Sequence, residues 1–346
     1  MRTADFDYHL PPELIAQTAM QPRDAARLLV LKRSAASIEH TLFHQLIHYL
    51  NPGDVLVLNQ TKVLPARLFA HKIPSGGKVE ILLLKREAQP NDAQQETWQA
   101  LLGGNNMREK QIVQIEQGPR AQLIETLYGG QFRMRFEQPI TPLLPQIGLM
   151  PLPPYIKTYP KNPQDYQTVY AEELGSAAAP TAGLHFTPEL LTQIKNKGIH
   201  IEKITLHVGL DTFLPVHEDD VSAHKIHTEW CTIPITTVEQ LGEAKRTQHK
   251  IIAVGTTTVR ALETLAQVHP TAPLSQGFEG TTNLFILPGH SFQIIDAIIT
   301  NFHLPKSTLL MLVSAFAGRE RIHETYETAK QEAYRFFSFG DAMLIL

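Results

Sequence analysis

The chain has 346 residues, of which 43% are hydrophobic and 19% are charged, as in ordinary soluble globular proteins. This length exceeds what one hydrophobic core usually supports, so we expect two domains. The net charge of −3 argues against a general nucleic-acid-binding protein, and the single cysteine, Cys231, excludes an internal disulfide and a cysteine-rich metal cluster.

The chain shows no targeting or membrane signal. The first eight residues lack the basic-then-apolar order of a secretion signal. The longest apolar stretch, residues 309–317, is too short to span a bilayer. We therefore expect a cytoplasmic protein without a membrane partner.

The first 60 residues predict a mixed opening of helices and strands. A short helix starts at Pro11 and Pro12, because proline is tolerated in a first helical turn. Residues 28–32 predict a strand, and residues 42–49 an amphipathic helix. Residues 54–59 form a short apolar run typical of a buried strand.

From Arg67 onwards, short β-type runs replace this mixture. Six strands are predicted, mostly separated by pairs of glycine or by Gly-Pro, at 66–72, 78–85, 97–102, 111–116, 121–128 and 131–137. No helix is predicted between them, which favours a small antiparallel barrel. Between residues 62 and 149 there are 11 Lys and Arg against 8 Asp and Glu, so this part permits a polyanionic partner without requiring one.

After the proline-rich residues 139–188, helices and strands alternate. Helices are predicted at 187–197, 238–247, 256–265, 306–316 and 324–336, and strands at 201–208, 251–254, 284–287 and 293–295. Such alternation indicates layered α/β packing. The predicted fold class is therefore α/β, with a large layered domain (residues 1–61 and 150–346) interrupted by a small antiparallel barrel (residues 62–149).

Chemistry-bearing side chains concentrate in turns between residues 178 and 230. The sequences APTAGLHF at 179–186 and LHVGLDTF at 206–213 place His185 and His207 in apolar turns that contain glycine. For either histidine alone, a hydrogen-bonded structural role and a catalytic role are both open. His217, His224 and His227 add candidate metal ligands, but their spacing does not match a recognisable zinc register.

Two further segments predict the walls of a site. Gly255 and Thr256–Thr258 join a buried strand to a helix, where amide groups and hydroxyls suit a carboxylate or phosphate, although simple capping is the alternative. Residues 296–307 bring an Asp, an Asn, a His and a Lys to the start of another helix, with capping and a surface lysine as the alternative. Standard dinucleotide, P-loop and α/β-hydrolase motifs are absent from the sequence.

Many blocks, in order, resemble one family. These blocks are residues 5–8, 14–17, 53–59, 61–68, 77–82, 152–156, 166–171, 179–186, 253–263, 296–318 and 334–344. Together they resemble the S-adenosylmethionine:tRNA ribosyltransferase-isomerases of queuosine biosynthesis almost end to end. The chain departs from that pattern at Gln60, at Asp211, where glycine is usual, and at Trp230-Cys231, which replaces two Tyr-like residues.

The resemblance implies both a fold and a reaction. It implies a large α/β domain interrupted by a barrel. It also implies that the ribosyl part of S-adenosylmethionine moves to 7-aminomethyl-7-deazaguanine at the wobble position of tRNA and rearranges to epoxyqueuosine, releasing adenine and methionine. S-adenosylmethionine is then a substrate, with no true cofactor and no metal, tRNA is the partner, and the chain is expected to be a monomer.

The turns and the resemblance together assign site residues. Expected catalytic residues, serving as acid, base or orienting groups, are His185, His207, Asp296 and His303. Expected substrate-binding residues are Tyr155, Thr181, Gly183, Phe186, Gly209, Thr212, Phe213, His227, Thr256, Thr257, Arg260, Asn301 and Lys306. Within this set, Thr256, Thr257 and Arg260 are expected to hold the methionine carboxylate, and Phe186, Phe213 or Tyr155 to stack on a base. Expected tRNA phosphate contacts are Lys62, Arg67, Lys72 and Lys78.

Two other classes of function are weighed against this one. A metal-dependent hydrolase would use the histidine cluster, and chelation would abolish its activity. A non-enzymatic tRNA-binding module would release no adenine from S-adenosylmethionine. Neither alternative explains the ordered match of so many blocks.

Overall fold

A computed structural model describes residues 1–35, 37–87, 95–104, 107–127, 130–209, 215–272 and 274–346. The chain divides into two compact units. The larger consists of Met1–Lys62 and Pro153–Leu346, and the smaller of Val63–Leu152. The larger unit contains the α/β layers, and the smaller contains the barrel.

The described residues form strands and helices with the following bounds. The strands are β1 Arg27–Leu31, β2 Ile38–Leu42, β3 Val55–Asn59, β4 Thr61–Val63, β5 Arg67–Ile73, β6 Lys78–Arg86, β7 Glu96–Gly103, β8 Ile112–Ile115, β9 Arg120–Thr126, β10 Gln131–Phe136, β11 Glu173–Ser176, β12 His200–Leu206, β13 Glu229–Ile233, β14 Ile251–Val254, β15 Phe278–Thr282, β16 Ala297–Asn301 and β17 Ala342–Ile345. The α-helices are α1 Leu144–Ile147, α2 Pro188–Asn196, α3 Ile235–Arg246, α4 Thr256–Val268, α5 Thr308–Ala317 and α6 Arg319–Gln331. Short 3-10 helices cover Thr3–Phe6, Pro12–Leu14, Arg23–Ala25, Phe43–Tyr49, Thr141–Leu143, Pro163–Tyr166, Thr181–His185 and Val221–Ala223.

The larger unit is built on a nine-stranded sheet in the order β15-β13-β12-β3-β14-β16-β17-β1-β2. The central strands β12, β3, β14 and β16 are parallel to one another. Strands β13, β15 and β2 extend the two edges by antiparallel pairing. Because the four central strands run in the same direction, their carboxyl ends lie side by side at the same end of the strands.

Core side chains cover both faces of this sheet. On β3, Val55 and Val57 belong to one buried cluster, whereas Leu56 and Leu58 belong to the other, as alternation along a strand requires. Helices α4, α5 and α6 contribute to the first cluster and α2 to the second. This packing confirms the predicted layered α/β class.

Local sequence signals explain α2. The Thr187 hydroxyl accepts a hydrogen bond from the amide of Leu190, at 3.1 Å, and Pro188 occupies the first helical position. Gly198 follows the helix with a φ of +88°, which favours glycine. The predicted start and end of this helix are confirmed.

The smaller unit contains a closed barrel in the order β10-β7-β6-β5-β8-β9. All six strand pairs are antiparallel. The register shifts within the β6–β7 pair and within the β9–β10 pair. Its interior is filled by side chains that include Leu68, Ile81 and Trp98. The six strands predicted from the glycine-punctuated runs are present, and the predicted inserted barrel is confirmed.

Two predicted strands, 284–287 and 293–295, are wrong. The amides of Gln293, Ile294 and Ile295 donate to the carboxylate of Glu263 instead of to a neighbouring strand. Leu284 is buried and packs into the core, which accounts for the apolar pattern without a strand. Within the described part of the chain, each helix is too short or too polar to cross a lipid bilayer.

Candidate active site

A cavity opens where β14 and β16 end. It contains about 480 Å³ of space between protein atoms, part of it open to solvent. Carboxyl ends of parallel strands are where open α/β sheets bind ligands. Six residues predicted for the site line this cavity: Tyr155, Thr181, Thr256, Thr257, Asn301 and His303.

The amino terminus of α4 forms one wall of this cavity. Gly255 precedes the helix with a φ of +88° and has no side chain to cap the amides of the first turn. Thr256 and Thr257 are the first two helical residues, and both line the cavity. Uncapped amides and the positive end of the helix dipole together favour an anionic group at this wall.

Asn301 organises the opposite wall. Its Oδ1 accepts a hydrogen bond from the Thr181 hydroxyl at 3.2 Å, and its Nδ2 donates to the Phe337 carbonyl at 3.1 Å and to His185 Nε2 at 3.2 Å. An amide nitrogen only donates, so His185 Nε2 is the acceptor and the ring proton lies on Nδ1. His185 therefore sits behind Asn301 and fixes its amide.

His185 is a neutral group at physiological pH. The imidazole is buried against Phe43, with ring centroids 5.0 Å apart. Burial, with smaller contributions from the charges of Arg335 and Arg23, lowers the pKa of His185 to about 3. The ring stays neutral because its charged form, enclosed in this way, cannot be hydrated.

His303 is the histidine that lines the cavity. Its Nε2 lies 2.8 Å from the Thr300 hydroxyl, and its amide donates to the Tyr326 hydroxyl at 2.9 Å. The Tyr8 hydroxyl donates to the His303 carbonyl at 2.5 Å, so two tyrosines hold its main chain. Burial lowers the pKa of His303 to about 3, and the ring is neutral at physiological pH.

The family is decided by comparison with known proteins. Residues 3–345 match the family described as queuosine biosynthesis protein. The chain belongs to this family. It is 50% identical to the S-adenosylmethionine:tRNA ribosyltransferase-isomerase of Carboxydothermus hydrogenoformans and 47% identical to that of Thermotoga maritima, with 100% of both chains covered in each case. A crystal structure of S-adenosylmethionine tRNA ribosyltransferase from Thermotoga maritima aligns with a TM-score of 0.57 and 39% identity, covering 99% of this chain and 100% of that one.

In this member of the queuosine biosynthesis family, His207 lies beside the cavity rather than in its wall. Val208, the next residue, lines the cavity. His207 Nδ1 lies 2.8 Å from the Thr61 hydroxyl, and the ring stacks on Trp230. Burial lowers the pKa of His207.

Arg260 is held away from the cavity by a buried ion pair. Its Nη1 pairs with Glu229, and its Nε donates to the Leu284 carbonyl at 3.0 Å. Burial alone would raise the pKa of Glu229, but the charge of Arg260 and bonds from His227 and Gly209 lower it to about 2. Arg260, His227 and Gly209 therefore converge on Glu229, and the expectation that Arg260 binds the substrate carboxylate stays a prediction.

Asp296 lies at the other end of β16. It accepts hydrogen bonds from the Ile251 amide and from Lys245 Nζ, both at 2.9 Å. Residues 297–299 of β16 separate Asp296 from Thr300, which lines the cavity, a distance of about 13 Å at the usual rise per strand residue. This carboxylate holds the amino ends of the strands, and its catalytic role stays a prediction.

Three other predicted residues have structural partners. Phe186 is fully buried and packs edge-on against Phe43, so it cannot stack on a base. Lys306 is half-buried and pairs with Asp7 at 2.9 Å, and it is not among the residues that line the cavity. Gly183 is buried, and a Cβ atom at this position would lie 2.0 Å from the Tyr170 hydroxyl oxygen.

The remaining predictions concern a loop and surface cations. Asp211, Thr212 and Phe213 lie outside the described residues. Arg67 forms a two-point ion pair with Glu80, at 2.7 and 3.0 Å. Lys62 and Lys78 are exposed and Lys72 is half-buried.

Sequence reasoning missed polar residues that organise the site. Asn59 ends β3 and exchanges two hydrogen bonds with the Leu206 main chain, each 3.0 Å, which joins the ends of two strands. The Ser338 hydroxyl lies 2.7 Å from that of Tyr155 at the cavity wall. A polar residue directly after an apolar strand was the available signal for Asn59. Across the described ranges, no three His, Cys, Asp or Glu side chains are grouped so that they could share a metal ion.

Proposed function

We propose that this protein transfers the ribosyl part of S-adenosylmethionine to 7-aminomethyl-7-deazaguanine at the wobble position of tRNA and rearranges it to epoxyqueuosine, releasing adenine and methionine. The relatives are named S-adenosylmethionine:tRNA ribosyltransferase-isomerases, which supports this reaction. The observation that carries it is the cavity at the carboxyl ends of β14 and β16, with the amino terminus of α4 in its wall. S-adenosylmethionine is consumed as a substrate and is not a cofactor.

The methionine carboxylate binds at the start of α4. Among the described residues that line the cavity, none is Lys, Arg, Asp or Glu. The uncapped amides beside Thr256 and Thr257 are then the anion-binding feature of the wall. The sulfonium, which meets no carboxylate there, is stabilised by the aromatic faces of Tyr155 and Phe337, whose centroids lie 4.8 Å apart.

His303 moves the proton. The sulfonium acidifies the adjacent C5′ hydrogens, and adenine departs more readily when a ring nitrogen is protonated. When His303 Nε2–H donates to Thr300, Nδ1 carries the lone pair that takes the C5′ proton. Burial makes the imidazolium a strong acid, so it returns this proton to the departing adenine. His303 thus accepts the C5′ proton and donates it to the departing adenine.

Phosphate contacts come from cations assigned by sequence. Lys62, Lys72 and Lys78 supply charge to the tRNA backbone, with a smaller share from Arg67 because Glu80 neutralises it. Binding should then weaken as salt rises. We further propose that the protein acts as a cytoplasmic monomer.

Release of adenine tests the reaction. The protein is incubated with S-adenosylmethionine and precursor tRNA, and adenine, methionine and the modified nucleoside are measured together. We expect equal amounts of all three and no loss of activity after exhaustive chelation. Adenine without nucleoside modification would contradict the transfer, and loss on chelation would favour a metal-dependent hydrolase.

A pair of histidine variants tests the assignment of the proton. His303→Ala should lower kcat by about 100-fold or more while the KM for S-adenosylmethionine changes little. His323→Ala, at an exposed position on α6, is the matched control and should retain wild-type kcat. Wild-type turnover by His303→Ala would remove His303 from the mechanism but leave the overall reaction intact.

A further inference from the structure

Trp230 faces outward from the antiparallel edge of the large sheet. On β13, Glu229, Cys231 and Ile233 are buried, whereas Trp230 points to the other side and is 37% exposed. The other tryptophan, Trp98, is 3% exposed inside the barrel. A half-open indole on a sheet surface is a ready stacking surface, so its surroundings matter.

The indole lies on a fixed imidazole. The rings of Trp230 and His207 are stacked, with centroids 5.1 Å apart and an interplanar angle of 24°. The Thr61 hydroxyl lies 2.8 Å from His207 Nδ1, and the His207 amide donates to the Trp230 carbonyl at 3.0 Å. A Cβ atom at Gly175 would come within 2.5 Å of His207 Nε2, so the missing side chain lets the imidazole pack directly against β11. The stack is therefore held from three directions.

This stack adjoins, along the chain, a residue of the cavity wall. Val208 lines the cavity, and the His207 ring is carried by the residue before it. The residue paired with Trp230 across the strands is Thr281, which is exposed and uncharged. The position thus combines an exposed aromatic face, an uncharged cross-strand neighbour and a supporting imidazole one residue away from the cavity wall along the chain.

We propose that Trp230, backed by His207, is a stacking platform for an unpaired nucleobase of the RNA loop next to the nucleotide being modified. The proposal rests on the proposed function, since it requires a single-stranded RNA substrate. A base that enters an active site leaves neighbours that are unstacked, and proteins commonly take such bases onto aromatic side chains. Every base has a π face, so the platform accepts any base at this position.

Steady-state kinetics of Trp230 variants give the first test. Trp230→Ala should raise the KM for precursor tRNA about 5- to 100-fold, the range found when one stacking aromatic is removed, with the KM for S-adenosylmethionine unchanged. Trp230→Phe keeps an aromatic face and should stay within about threefold of wild type. Ile235→Ala, another exposed apolar residue just after β13, is the control and should not change either KM.

Fluorescence gives the second test and does not require turnover. The difference between wild type and Trp230→Phe isolates Trp230 emission, because Trp98 is present in both proteins. An anticodon stem-loop should quench this difference signal saturably without S-adenosylmethionine, and a fully paired RNA of the same length should not. Saturable binding of the stem-loop with an unchanged difference signal would overturn the proposal.

The remaining outcomes separate this inference from the reaction itself. If wild type releases adenine and Trp230→Ala keeps a wild-type KM for tRNA, the platform is refuted and the reaction stands. If wild type releases no adenine with precursor tRNA, the proposed function fails first. A concentration-dependent dimer that Trp230→Ala abolishes in sedimentation would also overturn the proposal, because the exposed indole would then belong to a contact between two copies of the chain.

Discussion

Acidification should destabilise the folded chain through two buried histidines. Burial lowers the pKa of His185 and of His303 from the ordinary value of 6.5 to about 3. Between these two values the unfolded chain binds one more proton per histidine than the folded chain does. Stability is therefore fully present above pH 6.5 and is lost as the pH falls toward the folded pKa.

The size of this loss follows from the two pKa values. Going from pH 7.5 to pH 5, each histidine removes about 2 kcal/mol from the free energy of unfolding, and the two together about 4 kcal/mol. Glu229, whose pKa is lowered to about 2, contributes little in this window, because its stabilising effect is lost only below pH 4.5. The loss above pH 5 therefore reports mainly on histidines.

Urea unfolding of histidine variants at pH 7.5 and pH 5 measures the effect. His303→Gln should lose about 2 kcal/mol less than wild type between the two pH values, whatever its stability at pH 7.5. His323→Gln, changed at an exposed site on α6, should follow wild type. An equal pH-dependent loss in His303→Gln and wild type would refute the assignment of a neutral, desolvated His303. Histidine resonances that titrate near pH 6.5 in the folded protein would refute it independently.

Three further predictions concern the cavity and its surroundings. Gly183→Ala should lower the free energy of unfolding by about 1–3 kcal/mol, because its Cβ would lie 2.0 Å from the Tyr170 hydroxyl. Tyr170→Phe removes a buried hydroxyl that has no partner among the described residues, so it should raise the free energy of unfolding by about 1 kcal/mol. Thermal unfolding of the double variant should show that Tyr170→Phe partly rescues Gly183→Ala. Thr256→Val with Thr257→Val removes two hydroxyls beside the amides of the α4 terminus and should raise the KM for S-adenosylmethionine about 10-fold, with the KM for tRNA unchanged. An unchanged KM for S-adenosylmethionine would exclude these two hydroxyls as ligands of the carboxylate. Asp296→Asn should retain wild-type kcat within about twofold and lower stability by up to about 1 kcal/mol, whereas a large loss of kcat at normal stability would restore this carboxylate to the mechanism.

The fold was predictable wherever local chemistry decides it. The glycine-punctuated runs of the barrel correspond to real strands because each turn needs residues that bend easily. Thr187, Pro188 and Gly198 mark the ends of α2 for equally local reasons. Residues 43–49 are helical, as the pattern indicated, but as a 3-10 helix.

Elements that depend on partners distant in sequence were harder to predict. Residues 293–295 resemble a strand, yet their amides bind the Glu263 carboxylate, a partner about 30 residues away. β16 was interpreted as part of a polar segment, although its five residues are all buried. β17 is a run of four apolar residues whose identity as a strand follows only from pairing with β1 and β16.

The residues of the candidate site were likewise predictable from the sequence only in part. Thr181, Thr256, Asn301 and His303 meet because the turns that carry them follow, or lie over, carboxyl ends of neighbouring strands. Asp296 is close to Asn301 in sequence, but the two residues lie at opposite ends of the extended strand β16. Proximity along the chain therefore misleads when a strand lies between two residues.

The net charge of this site was the property hardest to predict from the sequence. Arg260 and Lys306 were expected to provide cations, yet Glu229 neutralises the first and Asp7 the second. The described cavity wall is left with uncharged side chains and the end of a helix. S-adenosylmethionine carries its own sulfonium, carboxylate and ammonium charges, so a neutral wall avoids trapping the sulfonium before transfer. The carboxylate site that we propose at the start of α4 adds no side-chain cation that would repel the sulfonium. The neutral wall is thus compatible with a donor whose reactive group is itself a cation.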